Sequence, residues 1–146
     1  MSKNTLQSTR SMLTTPGKGH TTIVTSFRRN GMGVGSPVGT VASQGKLYFM
    51  TPADTWKVKR LASDPRVTVA PGTFKGEALG PALEGTARRL TGSEFKRARD
   101  LLRVGVLGHF WGIIFDLRNP GDKTAVYEIS LAAERVDHEL TASAGS

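Results

Sequence analysis

The sequence contains no cysteine. That excludes a disulfide scaffold, a Cys-ligated zinc or iron–sulfur site and a thiol nucleophile, and it fits a reducing, cytoplasmic setting. Aromatic residues are scarce, at 7%, too few for the row of stacking platforms expected of a single-strand nucleic-acid binder. Acidic residues are nearly missing from one half. Asp54 and Asp64 are the only two among residues 1–75, against eleven Lys and Arg, a net charge of +9. The remainder holds nine basic and ten acidic residues, so the whole excess behind the formal charge of +8 lies in the first half. A basic surface of this kind attracts anions such as nucleic acid, acidic lipid or a phosphorylated cofactor.

Long apolar runs are also missing. Residues 1–15 carry no apolar core of a secretory signal. Val104–Leu117 is the most apolar stretch, yet as a helix it would span about 21 Å against a hydrocarbon core of about 30 Å. It also contains Asp116 and three glycines, so it is expected to pack in a core or against a partner subunit, with no transmembrane segment and at most peripheral membrane contact. With 146 residues, folding buries about two-thirds of the chain's surface, enough for one hydrophobic core and not for two. Counting glycine, about 48% of residues are apolar, the usual share for a globular domain.

The patterning predicts strands with short turns. Ile23, Thr25 and Phe27 share one face of a strand over residues 22–29. Asn30-Gly31 is a hairpin signal, and residues 35–42 return as the partner, with Pro37 at an edge or bulge. Residues 46–51 form a third strand. The period then changes: Val58, Leu61 and Ala62 mark an amphipathic helix within residues 52–64, capped by Asp54 or Thr55. Strands follow over residues 66–70 and 83–90, then a helix opening at Thr91–Glu94 that buries Phe95, Ala98, Leu101 and Leu102, and a last strand over 124–131. The expected organisation is an N-terminal arm or short helix (1–20), a single barrel domain (21–140) and a frayed tail (141–146). About six strands and two main helices, hairpin-connected, indicate a mainly β fold, an antiparallel barrel with helices.

No protein-side-chain chemistry stands out. His20, His109 and His138 lie far apart with no metal-ligand spacing, and no nucleophile elbow occurs, so no catalytic residue and no metal site is expected. The glycines of residues 31–39 open a strand and fail the register of a dinucleotide fingerprint. If the chain is an enzyme, a bound cofactor supplies the chemistry. The informative segment is residues 51–61. Lys57 stands in the first turn of the predicted helix, where the dipole disfavours a cation, and Arg60 follows on the same face. Helix-start amides, the Thr55 hydroxyl, Lys57 and Arg60, with Lys59 beside them, suit a phosphate.

These residues resemble, in order and spacing over Thr22–Thr91, the pyridoxamine 5′-phosphate oxidase-like proteins, and most closely their deazaflavin branch, the coenzyme F420-dependent oxidoreductases. The matching pieces include Phe27-Arg28-Arg29, Ser36-Pro37-Val38, Leu47 to Asp54, the Lys57–Leu61 helix and Asp64-Pro65-Arg66-Val67. The resemblance implies a six-stranded split β-barrel, a homodimer with the cofactor groove at the subunit interface, and hydride transfer between coenzyme F420 and a small unsaturated or conjugated organic substrate. FMN is the alternative cofactor, and an FMN-binding oxidoreductase or a non-catalytic flavin or F420 carrier is the alternative role. By resemblance, Lys57 and Arg60 hold the cofactor phosphate, Ser36, Pro37 and Val38 line the ring, and Thr51 ends the strand leading to the phosphate. Gly39 and Gly72 replace an aromatic residue and a cysteine common in relatives, which implies added space near the ring. No nucleic-acid partner is implied.

Overall fold

The computed structural model describes residues 3–15, 19–105 and 124–132. The 106–117 part of the apolar run, His109, His138 and the expected frayed tail lie outside the described residues. The elements run α1 (Lys3–Leu13), β1 (Gly19–Phe27), β2 (Gly33–Ser43), β3 (Lys46–Pro52), α2 (Trp56–Ser63), β4 (Arg66–Pro71), β5 (Leu83–Arg89), α3 (Gly92–Gly105) and β6 (Thr124–Leu131). The six strands close an antiparallel barrel in the spatial order β1-β2-β3-β6-β5-β4. The expected mainly β fold with a few helices is therefore the fold observed.

Turn chemistry accounts for the first three strands. Between β1 and β2 the chain turns over residues 28–32. Gly31 takes φ +87°, and the Asn30 side chain accepts a bond from the Met32 amide at 2.9 Å. Between β2 and β3, Gln44 and Gly45 both have positive φ (52° and 79°), as a two-residue hairpin turn matching the strand twist requires. β3 then cannot hairpin to β4, because β4 sits across the barrel between β5 and β1. The crossover is α2.

The inward face of each strand fills the barrel. Val24, Leu47, Phe49, Val69 and Ile129 are at most 1% exposed, and the Phe49 and Tyr127 rings stack with centroids 5.3 Å apart. On β1 the sheet turns Thr22, Val24 and Ser26 inward, so the Ile23, Thr25 and Phe27 face read from the sequence points outward and is only half-buried. The buried hydroxyls of Thr22 and Thr40 satisfy each other at 2.7 Å. A second cluster lies outside the barrel, where Ala98 and Leu102 of α3 cover Val41, Leu90 and Val126. Phe95 and Leu101 pack at its edge as half-buried neighbours.

Helices close the two ends. The N-terminal segment, expected as an arm or a helix, is the helix α1. Its Leu13 joins the interior cluster, and Arg10 donates to the Ala132 carbonyl at 3.0 Å. At the other end α2 buries Val58 and Leu61, while Ala62, expected on that stripe, is exposed. Thr55 takes the N-cap position with an extended backbone but makes no side-chain cap bond. Its hydroxyl instead donates to the Pro52 carbonyl at 3.1 Å, which leaves the helix-start amides open.

Gly72 does not leave the space the sequence suggests. A Cβ there would overlap Ile23 Cγ1, lie 2.6 Å from Ile23 Cδ1 and 3.0 Å from the Glu77 carbonyl oxygen. The outward Ile23 side chain already occupies the gap. Gly72→Ala is expected to lower stability by about 1–3 kcal/mol, the usual range for overpacking. Combining it with Ile23→Ala should cost less than the sum of the two single variants, as measured by urea unfolding. Additive losses would show that Ile23 does not fill the site.

Candidate functional site

Lys57, Lys59 and Arg60 stand at the end of the barrel that α2 closes. Successive helix residues are turned by about 100°, and this divides the basic side chains of α2 into two groups. Lys57 lies toward the buried Val58 and Leu61 flank, where its Nζ sits 6.0 Å from the centre of the Phe49 ring. Trp56 and Lys59 lie on the opposite flank, with Lys59 Nζ 4.5 Å over the Trp56 ring. Arg60 falls between the two. Its Nε donates to the Ser26 hydroxyl at 2.9 Å, and that serine is 1% exposed. Arg60 is thereby anchored to β1.

The sequence reading put Lys57 and Arg60 on one helix face; in the structure Lys57 turns further inward than Arg60. A lysine stem is long and apolar enough to follow its helix inward, and here it carries the ammonium to the barrel mouth. Burial and then the Arg60 charge push the Lys57 ammonium below its ordinary value of 10.5. Two cations thus sense each other, one of them partly out of water. Among the described residues, neither Lys57 nor Arg60 is in an ion pair with a carboxylate. Such an arrangement costs the protein free energy unless an anion joins it.

The second group lines a cleft of about 560 Å³ between α2 and the end of β1. Phe27, Arg28 and Arg29 form one side, with Trp56, Lys59 and Arg60 on the other. The lining holds no acidic residue. Nearby, the Arg66 guanidinium stands 5.8 Å over the Phe27 ring and is tied to Asp64 at 2.7 Å. Hydrogen bonds from Arg66 hold the Asp64 carboxyl below its ordinary range. Phe27, Arg28, Arg29 and Trp56 are cleft residues that sequence reasoning did not single out as a site. Their signal was a paired arginine at a strand end and a tryptophan at a helix start, 27 positions apart in Arg29 and Trp56, which only the barrel closure brings together.

The remaining candidates occupy other places. Ser36 and Val38 face the barrel interior from β2, opposite Val24 and Thr22 of β1 in register. The Ser36 hydroxyl is buried with no hydrogen-bond partner among the described residues. Pro37 between them points outward and is exposed. Thr51 is 4% exposed at the end of β3. None of Ser36, Pro37, Val38, Thr51 or Thr55 lines the cleft. Among the described residues there is no group of His, Asp or Glu able to hold a metal ion, and no helix is long and apolar enough to cross a membrane.

A further polar cluster lies on the outer barrel wall beside α3. Glu128 of β6, 7% exposed, accepts from Lys46 at 3.3 Å, Tyr48 at 3.1 Å and Arg88 at 3.2 Å. Burial pushes its carboxyl up, but bonds from these three donors outweigh that and hold it below its ordinary value. Arg88 also reaches Glu94 of α3 at 2.7 Å. The network stitches β3, β5, β6 and α3 together and faces away from the cleft end's cations.

No protein-family model matches the chain, and no curated protein is detectably similar to it in sequence. Solved structures do match. A candidate pyridoxamine 5′-phosphate oxidase from Listeria innocua superposes with a TM-score of 0.54 at 14% identity, over 78% of this chain and 85% of that one. An F420 reductase superposes with a TM-score of 0.51 at 11% identity, over 84% and 93%. A heme-binding protein from Mycobacterium smegmatis gives a TM-score of 0.62 at 17% identity, over 84% of this chain but 50% of the other, so the chain spans half that protein's length. At these identities the likeness is one of fold: these proteins share the six-stranded barrel.

Proposed function

We propose that the protein is an oxidoreductase that binds an anionic flavin-type cofactor, with the cofactor phosphate held by Lys57 and Arg60 at the barrel mouth. The observation that supports this reading is the pair of cations itself. Lys57 is partly desolvated beside Phe49, Arg60 is braced by Ser26, and no carboxylate answers either one among the described residues. The open amides at the start of α2 add donors on the same side. The residues thus suit a phosphate ester.

A flavin or deazaflavin, when bound, supplies hydride transfer, which fits the lack of a metal-ligating group among the described residues. The protein's part is then to bind, orient and exclude water. Among such cofactors, coenzyme F420 is the one we favour. Its charge exceeds that of a single phosphate, and the +9 half of the chain attracts the more highly charged ligand more strongly. An F420 reductase among the fold neighbours is consistent with that choice. The substrate class is a small unsaturated or conjugated organic molecule, and the assembly a homodimer with the cofactor at its interface.

The test is fluorescence titration of the purified protein with coenzyme F420 and with FMN, followed by substrate-dependent oxidation of the bound reduced coenzyme. Tighter binding of coenzyme F420 supports the assignment; binding of FMN alone overturns it. Binding of the coenzyme without oxidation by any enone or quinone identifies a carrier instead.

The pH dependence has a defined sign. The folded Lys57 pKa lies below 10.5, so between the folded and unfolded values the unfolded chain holds a proton that the native one lacks. Stability from this group therefore rises with pH across that window. An anion at Lys57 favours the charged form, so cofactor affinity should fall on the alkaline side as Lys57 loses its proton. Lys57→Arg, which stays charged, should move that loss to higher pH in the same titration.

A further inference from the structure

We propose that the rim of the cleft is a docking surface for an anionic membrane, with lipid phosphates between Arg28, Arg29 and Lys59 and with Trp56 and Met32 entering the headgroup layer. The argument begins with exposure. Trp56 is 70% exposed and Met32 57% exposed, although burial of either side chain would be worth more than a kilocalorie-scale contact. Both stand at the same edge. Trp56 shares the cleft with Arg28 and Arg29, and the Met32 carbonyl accepts the Arg28 amide at 2.9 Å, which sets Met32 across the loop from that arginine. Residues 28–33 are all exposed, so the loop stands clear of the barrel.

Charge selects the partner. The cleft lining holds four cations and no acid, and Asp64, the neighbouring carboxylate, is already taken by Arg66. Basic side chains near an anionic bilayer each strengthen binding by about fivefold at moderate salt. Tryptophan is at home where one edge is wet and the other apolar. Nucleic acid would use the same cations but would leave Met32 unsatisfied and would find at this rim the Trp56 indole in place of a series of stacking rings. Of the other exposed apolar side chains among the described residues, Met12 stands on α1, and Phe74 and Leu79 flank Glu77 with Lys75 as the one cation in that stretch. The surface adjoins the Lys57 position through Arg60, which lines the cleft and also neighbours Lys57, while Lys57 itself lies on the opposite flank of α2.

The experiment is co-sedimentation of the full chain with vesicles of phosphatidylcholine alone and with phosphatidylglycerol added, in low and high salt. Trp56 fluorescence is followed in a Trp111→Phe background that leaves it the single tryptophan. The expected result is binding to the anionic vesicles only, weakened by salt, with a blue shift of Trp56 emission. Arg28→Ala with Arg29→Ala should weaken binding about 25-fold, and Met32→Asp should abolish the blue shift while circular dichroism stays native. Lys57→Ala should retain vesicle binding. Equal binding to neutral vesicles, or none, overturns the proposal. So does preference for an oligonucleotide, which would make the cleft a nucleic-acid surface. Release from the vesicles by coenzyme F420 or inorganic phosphate also overturns it, and would assign the cleft to a small anion.

Discussion

Lys57→Met is expected to lower the affinity for an anionic flavin-type cofactor by about 30- to 150-fold, the loss of a charge-assisted bond worth about 2–3 kcal/mol. The same change should leave the melting temperature of the cofactor-free protein unchanged or raise it. The two effects have opposite signs for one reason. Without an anion, the Lys57 ammonium sits partly buried beside Phe49 and near Arg60, a placement that costs stability, and methionine keeps the stem while removing the charge. With an anion, the same charge becomes the strongest contact in the site. Arg60→Ala should weaken binding too, but it also leaves the buried Ser26 hydroxyl without its donor, so its melting temperature should fall. A solvated basic helix face would show neither the affinity loss nor the stability gain at Lys57. Isothermal titration and thermal unfolding of the two variants distinguish these cases, and unchanged affinity in Lys57→Met would end the phosphate-site reading.

Phe49→Ala should be the most damaging core substitution at this end of the molecule, at about 3–5 kcal/mol. Phe49 is fully buried, stacks on Tyr127 and forms the floor under Lys57. Against a typical total of about 5–15 kcal/mol, that removes much of the margin and should lower the melting temperature by about 10 °C or more. In urea the midpoint should move while the slope holds, because the barrel remains the native structure. Phe49→Leu should recover most of the stability and leave the ammonium without its ring. A loss under about 1 kcal/mol for the alanine variant would mean that the barrel collapses around the gap, against the close packing expected of such interiors.

The strands were legible because alternation and turn residues act locally. Asn30-Gly31 and the alternating stretch over residues 124–131 each specify their own few residues. The helix α2 was legible from Val58 and Leu61 for the same reason. What the sequence did not disclose depends on side-chain reach and on closure. The face of β1 that enters the barrel is the one bearing Thr22 and Ser26, because each finds a polar partner there, in Thr40 and Arg60; polarity alone pointed the other way. Lys57 turns inward because its stem is apolar, which a helical-wheel count does not weigh. Arg29 and Trp56 meet because α2 crosses the mouth beside the end of β1, and no local pattern carries that information. Gly72 read as empty space because its occupant, Ile23, belongs to another strand.

The placement of β6 has a consequence for how the chain reaches its native state. β6 lies between β3 and β5, and it pairs Tyr48 with Glu128 across 80 residues of sequence. It is the last of the six described strands to be synthesised. Until it arrives, β3 and β5 each present a bare edge of unpaired amides and carbonyls, the kind of surface that recruits other chains. Closure therefore waits on pairings about 80 residues apart in sequence, such as Tyr48 with Glu128, a topology that folds slowly. The Glu128 network then locks the arriving strand to both neighbours at once, through Lys46 and Tyr48 on one side and Arg88 on the other. Nascent chains that end before residue 124 should be the aggregation-prone species, and the final strand acts as the keystone that ends that exposure.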